Sequence, residues 1–247
     1  MISLKTKEEL SLMKEGGKIL STIIDHLQKK VEPGTKTKDL EKEARELIKK
    51  SRAKPSFLNF EGYPAVLCTS VNEQIVHALP SERVLKEGDI LSLDLGILWQ
   101  GYHADRALTL PVAKVSKERE KLIEVTKKAL NLAIEKSKIS NTFGDIGNVI
   151  EKYVEGEGFF VVRDLCGHGI GKQLHEAPQV LNFGEPGKGG RIKEGMVFCI
   201  EPMVSVGDPR VKKSSDGFGY ETQDGSLSCH FEHTIAITKK GPIILTK

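Results

Sequence analysis

Lys86-Glu87-Gly88-Asp89-Ile90-Leu91-Ser92-Leu93-Asp94-Leu95-Gly96 reads as a buried strand that carries a carboxylate, and Lys193-Glu194-Gly195-Met196-Val197-Phe198-Cys199-Ile200-Glu201-Pro202-Met203 reads as its copy. Asp94 and Glu201 stand at the same offset from the shared Lys-Glu-Gly. Downstream of each comes a second strand with an acid, Ala104-Asp105-Arg106-Ala107-Leu108-Thr109 and Phe231-Glu232-His233-Thr234-Ile235-Ala236-Ile237-Thr238. A buried strand rarely tolerates a lone carboxylate, because taking the charge out of water is costly. Two halves that each supply a strand pair with two acids are expected to bring all four to one central point.

The segments around these strands repeat as well. Thr6 with Glu9 spells a capping box, followed by Leu10, Met13, Leu20, Ile23, Ile24 and Leu27 on one helical face and a stop at Pro33-Gly34. A second helix is predicted from about Thr37, with Leu40, Ala44, Leu47 and Ile48 apolar. After Pro111 the order recurs. Ser116 caps a helix carrying Leu122, Val125, Ala129 and Leu132, and Thr142 with Asp145 caps another carrying Ile146, Val149, Ile150 and Val154. Helices followed by antiparallel strands, twice over, predict an α+β fold of two pseudo-symmetric helix-helix-strand halves around a central antiparallel sheet. The pseudo-repeats cover about 6–111 and 116–240 of a single domain, 1–247, with no linker rich in Pro, Gly or Ser between them.

Composition excludes some classes. A formal charge of +3, with no Lys/Arg block interleaved with aromatics, argues against nucleic-acid specificity. Lys49-Lys50-Ser51-Arg52 reads as a solvated helix end. Cys68, Cys166, Cys199 and Cys229 form no Cys-x-x-Cys pair and read as reduced thiols. No apolar run approaches a membrane span and the start of the chain has no apolar signal core, so a cytoplasmic protein is expected.

Alternation along a strand puts Ser92, Asp94 and Gly96 on one face and Leu91, Leu93 and Leu95 on the other. Hairpin pairing through Gln100-Gly101 is expected to set Asp94 and Asp105 side by side, where they repel unless cations lie between them. The plain alternative is that one acid is exposed or paired with Arg106. Histidines flank what reads as a glycine-rich turn, Cys166-Gly167-His168-Gly169-Ile170-Gly171, followed by Leu174-His175-Glu176-Ala177-Pro178. His77 lies in Asn72-Glu73-Gln74-Ile75-Val76-His77-Ala78-Leu79-Pro80. Four carboxylates with one His suit two divalent cations, which lower the pKa of a shared water.

At these residues the chain resembles the type I methionine aminopeptidases, enzymes of the pita-bread fold. The resemblance runs over nearly the whole chain and rests on Gly62-Tyr63-Pro64, Asn72-Glu73, His77, Pro80, Leu93-Asp94 and Tyr102-His103-Ala104-Asp105. It continues through Gly167-His168-Gly169-Ile170-Gly171, His175-Glu176-Ala177-Pro178, Glu201-Pro202-Met203 and Phe231-Glu232-His233-Thr234. It implies that Asp94 chelates the first metal, that Asp105 and Glu232 bridge both, and that His168 and Glu201 hold the second. It implies that His77 approaches the scissile nitrogen, that His175 stabilises the oxyanion, and that Glu201 carries the proton of the attacking water. The methionine side chain would sit among Tyr63, Cys68, His77 and Phe218, with Phe57 and Phe60 nearby. Asn72, Gln74 and Ser228 resemble positions that bind a monovalent cation. Leu174 and Phe218 depart from the aromatic residue and the Trp common in the family, which bears on the shape of the pocket wall.

The resemblance implies an enzyme that removes the initiator methionine from nascent chains, probing N-termini at the ribosome, when the second residue is small. A monomer is expected, and Mn, Fe, Co or Zn all suit the ligands. Prolidase and aminopeptidase P share fold and ligand set but usually carry a large N-terminal domain. A type II methionine aminopeptidase carries an inserted helical subdomain, for which the stretch from Glu201 to Glu232 leaves no room. A non-catalytic binding module is disfavoured by the intact ligand positions.

Overall fold

The computed structural model describes residues 2–247. Four helices form where the apolar periodicity places them: α1 Lys7–Leu27, α2 Thr37–Ser51, α3 Lys117–Lys136 and α4 Phe143–Gly156. The capping signals act as expected. Glu9 N–H donates to the Thr6 hydroxyl at 3.2 Å while Thr6 N–H donates to Glu9 Oε2 at 2.8 Å, and Thr142 with Asp145 repeats the device at α4. Ser116 accepts from Arg119 N–H at the start of α3.

The strands make a nine-stranded sheet and two three-stranded sheets. At the middle of the large sheet lie, in spatial order, Ile90–Trp99, Tyr102–Pro111, Glu232–Thr238, Val197–Ile200 and Gly167–Gly169, all antiparallel. The two halves therefore meet where Tyr102–Pro111 pairs with Glu232–Thr238. Alternation sorts each strand. Leu91, Leu93, Leu95 and Ile97 pack in one core with Leu20, Ile24, Leu27 and Leu40 from α1 and α2. That same core takes in Leu122, Val125 and Ala129 of α3 and Ile146 and Ile150 of α4. The residues between, Ser92, Asp94 and Gly96, are left for the other face. All four cysteines are free thiols. Among the described residues no helix is long and apolar enough to cross a membrane.

Candidate metal centre and active site

The acidic strands converge. Asp94, Asp105 and Glu232 are 6%, 3% and 2% exposed, and each offers a carboxylate oxygen within 4.8 Å of the others. Glu201 follows the last residue of Val197–Ile200 and faces His168, Oε1 to Nε2 at 3.6 Å, while Glu232 Oε1 lies 4.0 Å from the same nitrogen. The hairpin register refines the expected geometry. Asp94 is opposite Ala107 and Asp105 is opposite Gly96, so the two acids are diagonal neighbours on one face rather than direct partners. The diagonal leaves space between them that a direct pair would close. Arg106 does not neutralise either acid. It points to the helix face and pairs with Asp25 of α1 at 3.1 Å.

Between the halves the backbone ladder is replaced by a side chain. Thr234 Oγ1 accepts from Asp105 N–H at 2.9 Å and donates to Asp105 C=O at 2.8 Å. This fixes the Asp105 backbone against the Glu232 strand. The glycines around His168 answer to packing rather than to a turn. Gly167–Gly169 is a strand, and a Cβ on Gly167 or Gly169 would run into the carbonyl of Cys199 or Ala177. Gly96 is absent a side chain for a related reason: a Cβ there would meet the Phe57 ring at 2.7 Å.

Electrostatics show what the cluster lacks. Among the described residues no Lys or Arg pairs with any of the four acids, and Asp94 Oδ1, Asp105 Oδ1 and Glu232 Oε1 are buried with no hydrogen-bond partner. Burial, then the charges of Asp105 and Glu201, pushes Asp94 well above the usual carboxylate range. Burial and the charge of Glu201 lift Asp105 to about 7, and burial lifts Glu201 to about 8. Glu232 is pushed well up by burial and by its three acidic neighbours. His168 falls to about 3 through burial and the neighbouring His175, and so offers a neutral imidazole. Carboxylates orphaned in this way and facing a neutral His are the donor set of a site for divalent cations. The residues present fit such ions.

The cluster forms the floor of a cavity of about 320 Å³ whose walls include Phe57, Phe60, Tyr63, Cys68, Leu174 and Phe218. All six were expected there, as were His77 and His175, which line it too. Tyr63 and Phe218 meet edge to face at 5.6 Å between centroids, and Phe60 meets His175 at 5.0 Å. His175 and His168 lie 4.3 Å apart. His77 reaches solvent through the cavity, yet the protein surrounding it lowers its pKa to about 4, chiefly by desolvation. Its φ of 58° is one few non-glycine residues adopt, a local strain of the kind found where a side chain must be aimed. The loop bearing His175 is tied down from the start of the chain: Lys5 Nζ donates to Glu176 Oε2 at 2.6 Å, and Glu176 Oε1 accepts from Gln173 N–H at 3.1 Å.

Asn72, Gln74 and Ser228 come together away from the cavity. Ser228 N–H donates to Asn72 C=O at 2.8 Å, and the Asn72 and Gln74 side chains bind the backbone N–H groups of Ile90 and Val71. The structure also adds residues that the sequence reading passed over. His230 is 1% exposed and lies 3.5 Å from Glu201. Cys199 is grouped with His168 and Glu232. Both stand two residues before an acid, Glu232 and Glu201. That spacing is the signal that could have found them. Tyr220, stacked edge to face on His77, and Lys213 complete the rim.

The sequence matches metallopeptidase family M24 over residues 11–239. It is 48% identical to a methionine aminopeptidase of Clostridium perfringens, with 100% of this chain and 99% of that protein covered. It is 46% identical to methionine aminopeptidase 1 of Bacillus subtilis, with both chains covered in full at 100%. The crystal structure of a methionine aminopeptidase from Thermotoga maritima superposes with a TM-score of 0.98 at 44% identity, covering 100% of each chain. The chain belongs to metallopeptidase family M24, a family of metal-dependent hydrolases with the pita-bread fold. Within that family it falls with the methionine aminopeptidases, and its activity is that of a methionyl aminopeptidase.

Proposed function

We propose that the enzyme removes the initiator methionine from nascent cytoplasmic proteins whose second residue is small, with two divalent cations at the acidic cluster. The observation that carries this reading is the set of unpaired buried acids at the floor of an apolar-walled cavity. Asp94 would hold one cation, Asp105 and Glu232 both, and His168 with Glu201 the other. Such a pair of cations lowers the pKa of a shared water and polarises the substrate carbonyl, chemistry already established for aminopeptidases.

The chain's own groups do the rest. Tyr63, Cys68 and Phe218 surround the methionine thioether, which is soft and suits sulfur and aromatic contacts. Glu201, at the cavity floor beside His168, takes the proton of the attacking water and passes it to the leaving nitrogen. His175, on the Lys5-tethered loop, donates to the oxyanion. His77 faces the scissile nitrogen from the other wall. The second side chain of the substrate presses on the cavity rim, which limits its size. Nascent N-termini emerging from the ribosome are the partners this chemistry serves, and the chain acts as a monomer. A monovalent cation would lie at Asn72, Gln74 and Ser228.

The test compares Met-Ala-Ser, Met-Leu-Ser, Leu-Gly-Ser and Xaa-Pro peptides under one metal, with bound metal counted on protein purified without added ions. Cleavage only of Met followed by a small residue, at two ions per chain, supports the reading. Preference for Xaa-Pro without a demand for Met would transfer the site to aminopeptidase P chemistry.

A further inference from the structure

Glu201 stands between two imidazoles, and only His168 has a part in the reading above. Oε1 of Glu201 faces His168 Nε2 at 3.6 Å, and Oε2 faces His230 Nε2 at 3.5 Å. Asn182 holds the Glu201 backbone carbonyl at 3.0 Å, but the carboxylate itself meets only these two rings as hydrogen-bonding neighbours among the described residues. His230 is as short of alternatives. It is 1% exposed, and neither ring nitrogen has a hydrogen-bond partner. Buried polar groups without a partner are rare in folded proteins, and each calls for a physical account.

The His230 backbone is locked in place. Its N–H donates to Thr109 Oγ1 at 3.0 Å and its C=O accepts from that hydroxyl at 2.8 Å. Thr109 in turn is held by Ser92 at 2.7 Å, on the strand that carries Asp94. The first half of the chain therefore fixes where the His230 ring can point, and it points at the far oxygen of Glu201. A small rotation of the carboxylate closes 3.5 Å to hydrogen-bonding distance.

We propose that His230 is a positioning residue for this site: its Nε2–H donates to Glu201 Oε2 and holds the carboxylate so that Oε1 faces His168. The inference rests on the two-cation reading above. Hydrogen-bonded partners of metal ligands fix ligand orientation, and their loss commonly costs about 10–100-fold in metal affinity or activity. His230 would set both the grip on the His168-side cation and the direction in which Glu201 presents its proton-accepting oxygen.

The experiment uses the full chain as wild type, His230→Leu and His230→Gln. Mn²⁺ is titrated calorimetrically, the metal-free proteins are melted, and kcat and KM are measured on Met-Ala-Ser. In His230→Leu the second Mn²⁺ should bind about 10–100-fold more weakly, with kcat lowered to match, while the first Mn²⁺, KM and the metal-free melting temperature stay near wild type. His230→Gln keeps an N–H donor and should restore the second affinity and kcat to within about threefold. Wild-type affinities and kcat in His230→Leu would overturn the proposal, as would a Gln variant as impaired as the Leu variant, which would mark His230 as a ligand. Nitrogen-15 spectra of the wild-type imidazole decide the matter without any variant: a neutral ring protonated at Nε2 is expected, and a proton on Nδ1 overturns it. Failure of the wild type to bind a second Mn²⁺ would remove the two-cation reading first and this inference with it, and is recognised in the wild type alone.

Discussion

The first half of the molecule carries its two acids on a straight hairpin, and the second carries them on strands that break beside them. Ile90–Trp99 and Tyr102–Pro111 pair without interruption from Ile90↔Pro111 to Trp99↔Tyr102. Val197–Ile200 stops one residue before Glu201. Pro202 follows, and the chain crosses to a separate three-stranded sheet as Met203–Ser205, paired with Ser228–His230. Proline cannot donate to a ladder, so the break is written into the second copy and absent from the first. The flanking strands differ in the same way. Leu67–Val71 sets Cys68 opposite Asp94, a wall for an apolar side chain, whereas Gly167–Gly169 brings His168. An unbroken hairpin yields a fixed pair of short aspartates. A broken one uses longer glutamates and opens room for imidazoles. The duplication supplies the acids, and the departure from symmetry supplies the imidazoles beside Glu201.

The seam between the halves is where this contrast is easiest to break. Asp105→Asn and Glu232→Gln, one from each half, should each lower kcat/KM by roughly 10³-fold, about 4 kcal/mol, and release metal. Metal counts and turnover on Met-Ala-Ser read this, and near-normal turnover in either variant removes the shared role of the two acids. The second half's own contribution is read through His175→Ala. Loss of an oxyanion donor should cost about 10²–10³-fold in kcat with metal retained. A variant that purifies without metal would make His175 a ligand instead.

Acidity sharpens the comparison further, because burial raises both acids of each half. Asp105 and Glu201 titrate at about 7 and about 8 in the folded chain, against ordinary values of about 3.9 and 4.3. The folded state therefore retains protons that the unfolded state has lost, and the metal-free protein loses stability as pH rises through this window. His168 and His230, each at about 3 when folded, act in the opposite sense, but their contribution levels off above the unfolded value of about 6.5. Between pH 7 and 8 the acids dominate, with Asp94 and Glu232 acting in the same sense as Asp105 and Glu201, and denaturation of metal-free enzyme should show a loss of about 1–3 kcal/mol per pH unit. Saturating Mn²⁺ should flatten that slope. A flat slope without metal would mean the acids are not buried together.

The smallest expected effect is at the wall. Phe218→Trp enlarges a ring already in edge contact with Tyr63, so KM for Met peptides should shift by a few-fold, within about 1 kcal/mol, while bound metal is unchanged. An unaltered KM with a lowered melting temperature would assign Phe218 to loop packing alone.

Much of this was legible in the chain. Strand alternation placed Asp94 and Asp105 on the face away from Leu91 and Leu93, and the capping boxes at Thr6 and Thr142 marked two of the helix starts to the residue. Local patterns of this kind depend on neighbours in sequence, so a sequence displays them. The spacing of His230 from Glu232 marks it as a neighbour of the cluster, but only the fold shows that its ring turns toward Glu201. The glycines beside His168 were read as a turn because the carbonyls that crowd them come from Cys199 and Ala177.

The sequence by itself determined the inventory: two copies of an acid-bearing strand pair, four helices to cover them, and the histidines and aromatics of one site. Periodicity and side-chain chemistry are properties of the chain, and they survive without knowledge of the fold. The tertiary structure alone decided the diagonal offset of Asp94 and Asp105, the Thr234 bridge across the seam, and the placing of Glu201 between two rings. Those depend on register and on where Pro202 sends the chain. A shift of one residue would turn every one of these side chains to the opposite face.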